Sequence, residues 1–128
     1  MTDQQLTDKT GAAVTVTLDE ERNAYAITLA DGEVAGRAFF TPASGAEDDW
    51  IFFHTEVDET YGGRGLGGIL VGEAVTDAAR RDKTVVPVCP FVAKWVEKNG
   101  EEFASSGGTV RKARPADLDT AKAASKEA

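Results

Sequence analysis

The spacing of apolar residues along this chain switches between a period of two and a period of about 3.6, and the switches mark its elements. Residues 13–18 alternate polar and apolar with β-branched side chains, which predicts a half-buried strand. Residues 19–23 are charged and read as a turn. Tyr25, Ile27 and Leu29 occupy alternate positions of a second strand over 24–29, Asp31-Gly32 is a hairpin signal, and residues 34–40 continue as a third strand. Residues 42–49 read as a loop by composition. Residues 50–57, rich in aromatic and β-branched side chains, form the most strand-like run of all. After turn-forming residues 58–63, helical spacing begins at Leu66. Leu66, Ile69, Leu70, Ala74 and Ala78 share a face, while Glu73, Asp77, Arg80 and Arg81 lie on the polar side. Residues 85–88 predict a short strand. Pro90 suits the first turn of a second helix over 91–98, which Asn99-Gly100 should stop. Phe91 and Trp95, at i and i+4 of that helix, are expected in the core.

Strands first, then strand–helix–strand–helix, predicts an α+β fold with a mixed, mostly antiparallel sheet and a C-terminal helix. The strands over 50–57 and 85–88 flank one helix, so they form a central βαβ unit and should run parallel. The first dozen residues are polar and read as frayed. Beyond residue 104 large apolar side chains almost vanish after Val110. Residues 1–104 are therefore expected to form the domain and 105–128 a flexible tail. A helix from Asp117 would have little to bury.

The charge balance narrows the partners. A net charge of −8 argues against nucleic acid, which needs clustered cations, and suits a cationic acceptor such as an amine. No run approaches the roughly 18 apolar residues of a membrane helix, and the polar N-terminus lacks the pattern of a signal peptide, so no membrane association and a cytoplasmic location are expected. One cysteine, Cys89, excludes an internal disulfide, and with a single histidine no metal site is expected.

Five of the seven residues from 62 to 68 are glycine. Glycine costs roughly 1 kcal/mol relative to alanine in a helix, so a cluster at a helix start needs a reason. One reason is anion binding by uncovered backbone N–H groups at the positive helix end; the other is a tight turn with close packing. Gly63-Arg64-Gly65-Leu66-Gly67-Gly68 satisfies the dinucleotide pattern formally. However, Asp58 to Tyr61 intervene after the strand, and Val85-Val86-Pro87-Val88 carries no acid for a ribose. A Walker A loop fails because no Gly-Lys-Ser or Gly-Lys-Thr follows.

Three segments in order, His54-Thr55-Glu56-Val57, Tyr61-Gly62-Gly63-Arg64-Gly65-Leu66-Gly67 and Val86-Pro87-Val88-Cys89-Pro90-Phe91-Val92, resemble the small single-domain acetyltransferases of the GNAT superfamily. The resemblance runs from about Tyr25 to Phe103 and includes the Asp31-Gly32-Glu33-Val34-Ala35-Gly36 hairpin. It implies a GNAT-like fold, acetyl-CoA as co-substrate, and transfer of an acetyl group to a primary amine on a small molecule or a protein lysine. The superfamily pattern Q/R-x-x-G-x-G/A falls on 62–67 with Gly65 and Gly67 matching. Gly62 stands where a basic or amide side chain is usual, and Arg64 offers a replacement charge. The implied cofactor residues are Thr55 and Val57 on the strand, then Gly62, Gly63, Arg64, Gly65, Leu66, Gly67 and Gly68.

The resembling subfamily carries a cysteine at the position of Cys89, as a candidate catalytic residue. It would accept the acetyl group or give a proton to the departing thiolate, unless it is a small buried hydrophobe. His54 either packs as an ordinary strand residue or takes a proton from the substrate ammonium or activates Cys89. Simple alternation puts His54 on one face with Glu56 and Phe52, opposite Phe53 and Thr55. Glu56 is the alternative base, since the amine must lose its charge before attack. Val86 or Val88 would supply an oxyanion N–H. Acceptor specificity is expected from the loop over 42–49 and from the C-terminal tail. Two rival functions remain: a non-catalytic CoA-binding module with a structural or redox-sensitive Cys89, and a nucleotide-binding protein.

Overall fold

The computed structural model describes residues 6–62 and 65–126. Seven strands form one sheet in sequential order: β1 (Leu6–Thr7), β2 (Ala13–Asp19), β3 (Ala24–Leu29), β4 (Val34–Ala43), β5 (Ala46–Val57), β6 (Thr84–Pro87) and β7 (Thr109–Val110). Neighbours from β1 to β5 are antiparallel, and β5, β6 and β7 run parallel. Helix α1 (Leu66–Arg80) is the crossover between β5 and β6, so the βαβ unit is present with Trp50 beside Val85 and Ile51 beside Val86. Helix α2 (Pro90–Ser105) follows β6, and α3 (Pro115–Ser125) ends the described chain. No helix is long and apolar enough to cross a membrane, among the described residues.

Alternation along β5 and β6 sorts the apolar side chains into two clusters on opposite faces. Trp50, Phe52 and Val85 join Tyr25, Phe40, Leu70, Val71, Val75, Cys89 and Val92 beneath α1 and α2. Ile51 and Val86 join Ala43 and Ala121, with Phe53 and Val88 at their margin, beneath α3. The main core is aromatic at its centre: Phe40 stacks on Trp50 at 4.1 Å between centroids, and Tyr25 lies 5.7 Å from Phe40. The Tyr25 hydroxyl donates to Asp77 Oδ2 at 2.7 Å, tying β3 to α1. Desolvation first, and then that bond, push the phenol far above its ordinary range.

Three expectations change. Residues 42–49 are no loop. They complete β4 and begin β5 around Gly45, whose φ of +77° serves the hairpin turn. The acids that suggested a loop are met by residues flanking β6 and β7: Lys83 Nζ reaches Asp48 at 2.8 Å and Arg111 Nε reaches Asp49 at 2.6 Å. Helix α2 passes through Asn99-Gly100 to Ser105, carrying Phe103 into the core and against Trp95 at 5.7 Å in an edge-on contact. Residues after 104, expected as a flexible tail, hold β7 and α3. Arg111 binds Asp117 through Nη1 at 2.6 Å and Nη2 at 2.9 Å, and Asp117 also accepts the Arg114 N–H at 2.7 Å, capping α3.

Candidate active site

Strand β5 organises the site because its two neighbours treat it differently. Pairing with β6 ends at Phe52 beside Pro87. The N–H groups of Val88 and Cys89 both turn onto the Phe52 carbonyl, at 3.0 and 2.8 Å, and Pro90 then opens α2. Prolines at 87 and 90 bring no N–H of their own, which suits a strand that stops here. Strand β5 continues to Val57, paired with β4 on one side only, among the described residues. A wedge opens between β5 and β6. One wall is the backbone edge of Thr55 to Val57, and the other is Cys89 with the first turn of α2.

On the β4 side the register slips by one residue. Phe39 faces His54 and Phe40 faces Phe52, so Phe53 has no opposite number. This is a β-bulge, which lets two successive side chains leave the same face. Phe52 stays in the main core, while Phe53 and His54 both turn to the other side. There Phe39 stacks on His54 at 5.9 Å between centroids and lies 6.4 Å from Phe53. The bulge thus overturns the simple alternation that placed His54 with Phe52.

Beyond the bulge, alternation resumes. Glu56 stands beside His54, with Oε2 3.2 Å from Nε2, and both side chains are more than half exposed. Thr55 faces the helices, where the Cys89 thiol donates to its Oγ1 at 3.5 Å. Cys89 is only 5% exposed. The structure therefore joins His54 to Glu56 and Cys89 to Thr55, on opposite faces of one strand. It does not bring His54 to Cys89, so the imidazole is not placed to activate the thiol. Nor is an oxyanion donor found at Val88, whose N–H already serves Phe52, or at Val86, which lies within the β5–β6 pairing.

The glycine segment begins with a single 3-10 turn, Glu59–Tyr61, capped by Asp58. The Thr60 backbone N–H donates to Asp58 Oδ1 at 2.9 Å and, with the Thr60 hydroxyl, keeps that carboxyl below its usual range. Asp58 is thus a cap. Gly62 is extended, at φ −60°. Gly63 and Arg64 lie outside the described residues. Gly65 is the N-cap of α1 at φ +73°, a left-handed conformation suited to glycine, and no side chain caps the helix there. The N–H groups of Leu66, Gly67 and Gly68 start α1 without intrahelical acceptors. Leu66 contributes backbone alone, since its side chain is buried in the core.

The other glycines divide by use. A Cβ on Gly67 would come within 2.5 Å of the Phe91 ring, so this glycine admits α2 against α1. Phe91 itself is 49% exposed, lying over the start of α1 rather than in the core where its spacing had placed it. A Cβ on Gly68 would meet nothing within 4 Å. The N-terminal segment, read as frayed, reaches the same place: a Cβ on Gly65 would sit 2.9 Å from Lys9 Cε. An open surface cavity of about 580 Å³ beside the helix start has Asp8, Lys9, Gly65, Gly68, Trp95 and Lys98 among its lining residues. Lys9 was invisible in the sequence because nothing local connects it to residue 65; Lys98 follows Lys94 at helical spacing and was legible in principle.

A helix start without a side-chain cap at Gly65, an open Gly68 and a strand edge without a partner among the described residues fit an extended ligand with phosphates at one end and amides along its arm. A sequence model described as GCN5-related N-acetyl-transferase matches residues 24–105, from β3 to the end of α2. No curated protein matches the chain significantly.

Proposed function

Because this chain belongs to the GCN5-related N-acetyltransferase family, we propose that it transfers the acetyl group of acetyl-CoA to a primary amine, on a small molecule or a protein lysine. An acetyltransferase-type function follows from the family; the donor and acceptor are our reading. The observation that carries it is the wedge, whose free β5 edge leads into the bare start of α1. In this reading Thr55 and Val57 pair through their backbone with the amide arm of CoA. The N–H groups of Leu66, Gly67 and Gly68, with Gly62, Gly63, Arg64 and Gly65, surround its pyrophosphate.

The two faces of β5 then divide the proton chemistry. Glu56 and His54, exposed and within 3.2 Å of one another, take the proton that the acceptor ammonium must lose. Cys89, held by Thr55, gives its proton to the departing sulfur and is reprotonated by the second proton that the amine nitrogen sheds as the amide forms. The burial of Cys89 favours this donor role over attack on the thioester. Positioning of the amine across the wedge supplies the rest.

The test is calorimetric binding of acetyl-CoA, CoA, ATP and NAD, followed by thiol release from acetyl-CoA across a panel of amines and lysine peptides. We expect CoA species alone to bind, and turnover with at least one amine. Cys89→Ala, His54→Ala and Glu56→Gln should each slow turnover about 10²-fold or more with cofactor affinity kept. Burial of Cys89 equally suits a second reading, a CoA-binding module without catalysis, which wins if CoA binds and no amine is acetylated. Stabilisation by ATP or NAD but not CoA would reject both.

A further inference from the structure

The lysines around the start of α1 carry one step further, which rests on the CoA reading above. Lys9 belongs to the N-terminal segment, outside the residues that match the family. Its position is set firmly. Strand β1 pairs with β2, Leu6 beside Val14 and Thr7 beside Ala13. Asp8 is buried, and its Oδ1 accepts the Thr10 N–H at 2.8 Å, the Thr10 hydroxyl at 2.6 Å and the Ala12 N–H at 3.0 Å. That turn lays the Lys9 stem along Gly65, with Cγ and Cδ as well as Cε inside 3.3 Å of where a Cβ would be. Gly65 thus accommodates a lysine as well as a turn.

Lys98 lines the same cavity from α2, and Lys94, one turn earlier, lines its neighbour with Gly68 and Phe91; Glu97 stands on that rim. Neither Lys9 nor Lys98 is held by a carboxylate among the described residues. Asp8 lines the same cavity, with its Oδ1 taken by the Thr10 and Ala12 donors, so two lysines stand there against one acid on a chain with 22 acids against 14 lysines and arginines. Lysine meets phosphate as a point charge, and a phosphomonoester, near −2 at neutral pH, attracts it more than a singly charged diester does.

We propose that Lys9 and Lys98 form a clamp for the 3′-phosphomonoester on the ribose of CoA, and that this N-terminal segment is therefore part of the cofactor site. The clamp distinguishes CoA from its dephospho form, which keeps the pyrophosphate and the pantetheine arm. Each solvent-exposed charge pair contributes roughly two- to fivefold in affinity, so both together give about five- to twentyfold.

The experiment is isothermal titration of the full chain with CoA and with 3′-dephospho-CoA, repeated on Lys9→Ala/Lys98→Ala and on the distant control Lys122→Ala, each variant first checked by its melt. We expect the wild type and the control to prefer CoA about five- to twentyfold at low salt, less at high salt. The double variant should bind both forms alike, at the affinity of the wild type for dephospho-CoA. Equal tight binding of both forms by the wild type would overturn the clamp while leaving the cofactor reading intact. A preference that survives in the double variant also overturns it. Absence of binding by either form would remove the cofactor reading, and the clamp with it.

Discussion

Asp117→Asn isolates one carboxylate that holds the C-terminal helix to the sheet. Three donors converge on it: Nη1 and Nη2 of Arg111 at 2.6 and 2.9 Å, and the Arg114 N–H at 2.7 Å. The hydrogen bonds from Arg111, outweighing the cost of burial, lower its pKa from 3.8 to about 2. At 1.36 kcal/mol per unit, that shift corresponds to about 2.4 kcal/mol at most, and an asparagine oxygen still accepts part of the same hydrogen bonding, so we take about 1–2 kcal/mol. Because the pKa is depressed in the folded state, the stabilisation is complete above the unfolded pKa near 3.8. It is lost as pH falls through the folded value near 2. Urea unfolding of wild type and Asp117→Asn, followed by tryptophan fluorescence between pH 7 and pH 2, reads this directly. The gap should be about 1–2 kcal/mol from pH 7 to pH 5 and should close between about pH 4 and pH 2. At neutral pH the melting temperature should fall by roughly 4–7 °C. A gap below about 0.5 kcal/mol at pH 7, or one that persists unchanged at the acid end, would refute the reasoning.

Gly36→Ala places a Cβ 2.5 Å from the Glu56 carbonyl and 3.1 Å from Val57 Cα, which are backbone atoms with nowhere to retreat. It should cost about 1–3 kcal/mol and weaken CoA binding by moving the ligand edge of β5; a melt and titration unchanged from wild type would contradict that close approach. Gly65→Ala meets both a left-handed backbone and the Lys9 stem. About 1–2 kcal/mol of stability should go, with CoA affinity reduced some tenfold, and unaltered affinity would mean that the helix start does not face the ligand. Tyr25→Phe removes the bond to Asp77 but leaves that carboxylate with Arg81 Nε at 2.7 Å. Denaturation should show a loss of about 1 kcal/mol, constant from pH 5 to pH 9, because burial first and Asp77 second keep the phenol neutral well above that window. A loss that varies across those pH values would count against this assignment.

How much of this was open to a reader of the sequence depends on how far each signal had to travel. Strands β2 and β3, the parallel βαβ unit and the start of α1 were legible because their cause is local: a period, a turn residue, a glycine at a helix start. Helix α2 overran its apparent stop because Phe103, four residues past Asn99, packs on Trp95, and Asn99 is absorbed by a bond from its side chain to the Trp95 carbonyl at 3.0 Å. That packing outweighs the roughly 1 kcal/mol cost of Gly100. The run Glu47-Asp48-Asp49 looked like a loop because the lysine and arginine that hold it are 35 and 62 residues away from Asp48 and Asp49.

The candidate site shows the same limit in sharper form. His54, Thr55, Glu56, Cys89 and the glycines could all be named from the chain, but not which of them meet. That depends on one unmatched residue, Phe53, and a bulge exists only in the register between two strands. Every residue beyond the bulge changes face: His54 and Glu56 stay together but leave the side that Phe52 keeps, and Thr55 comes to the side of Cys89. A base–thiol couple on one face thereby becomes a base pair on one face and a thiol on the other, with the strand edge between them. That arrangement suits an amine and a departing thiolate approaching from opposite sides. The proposed mechanism thus turns on register, which the identities of the residues do not carry.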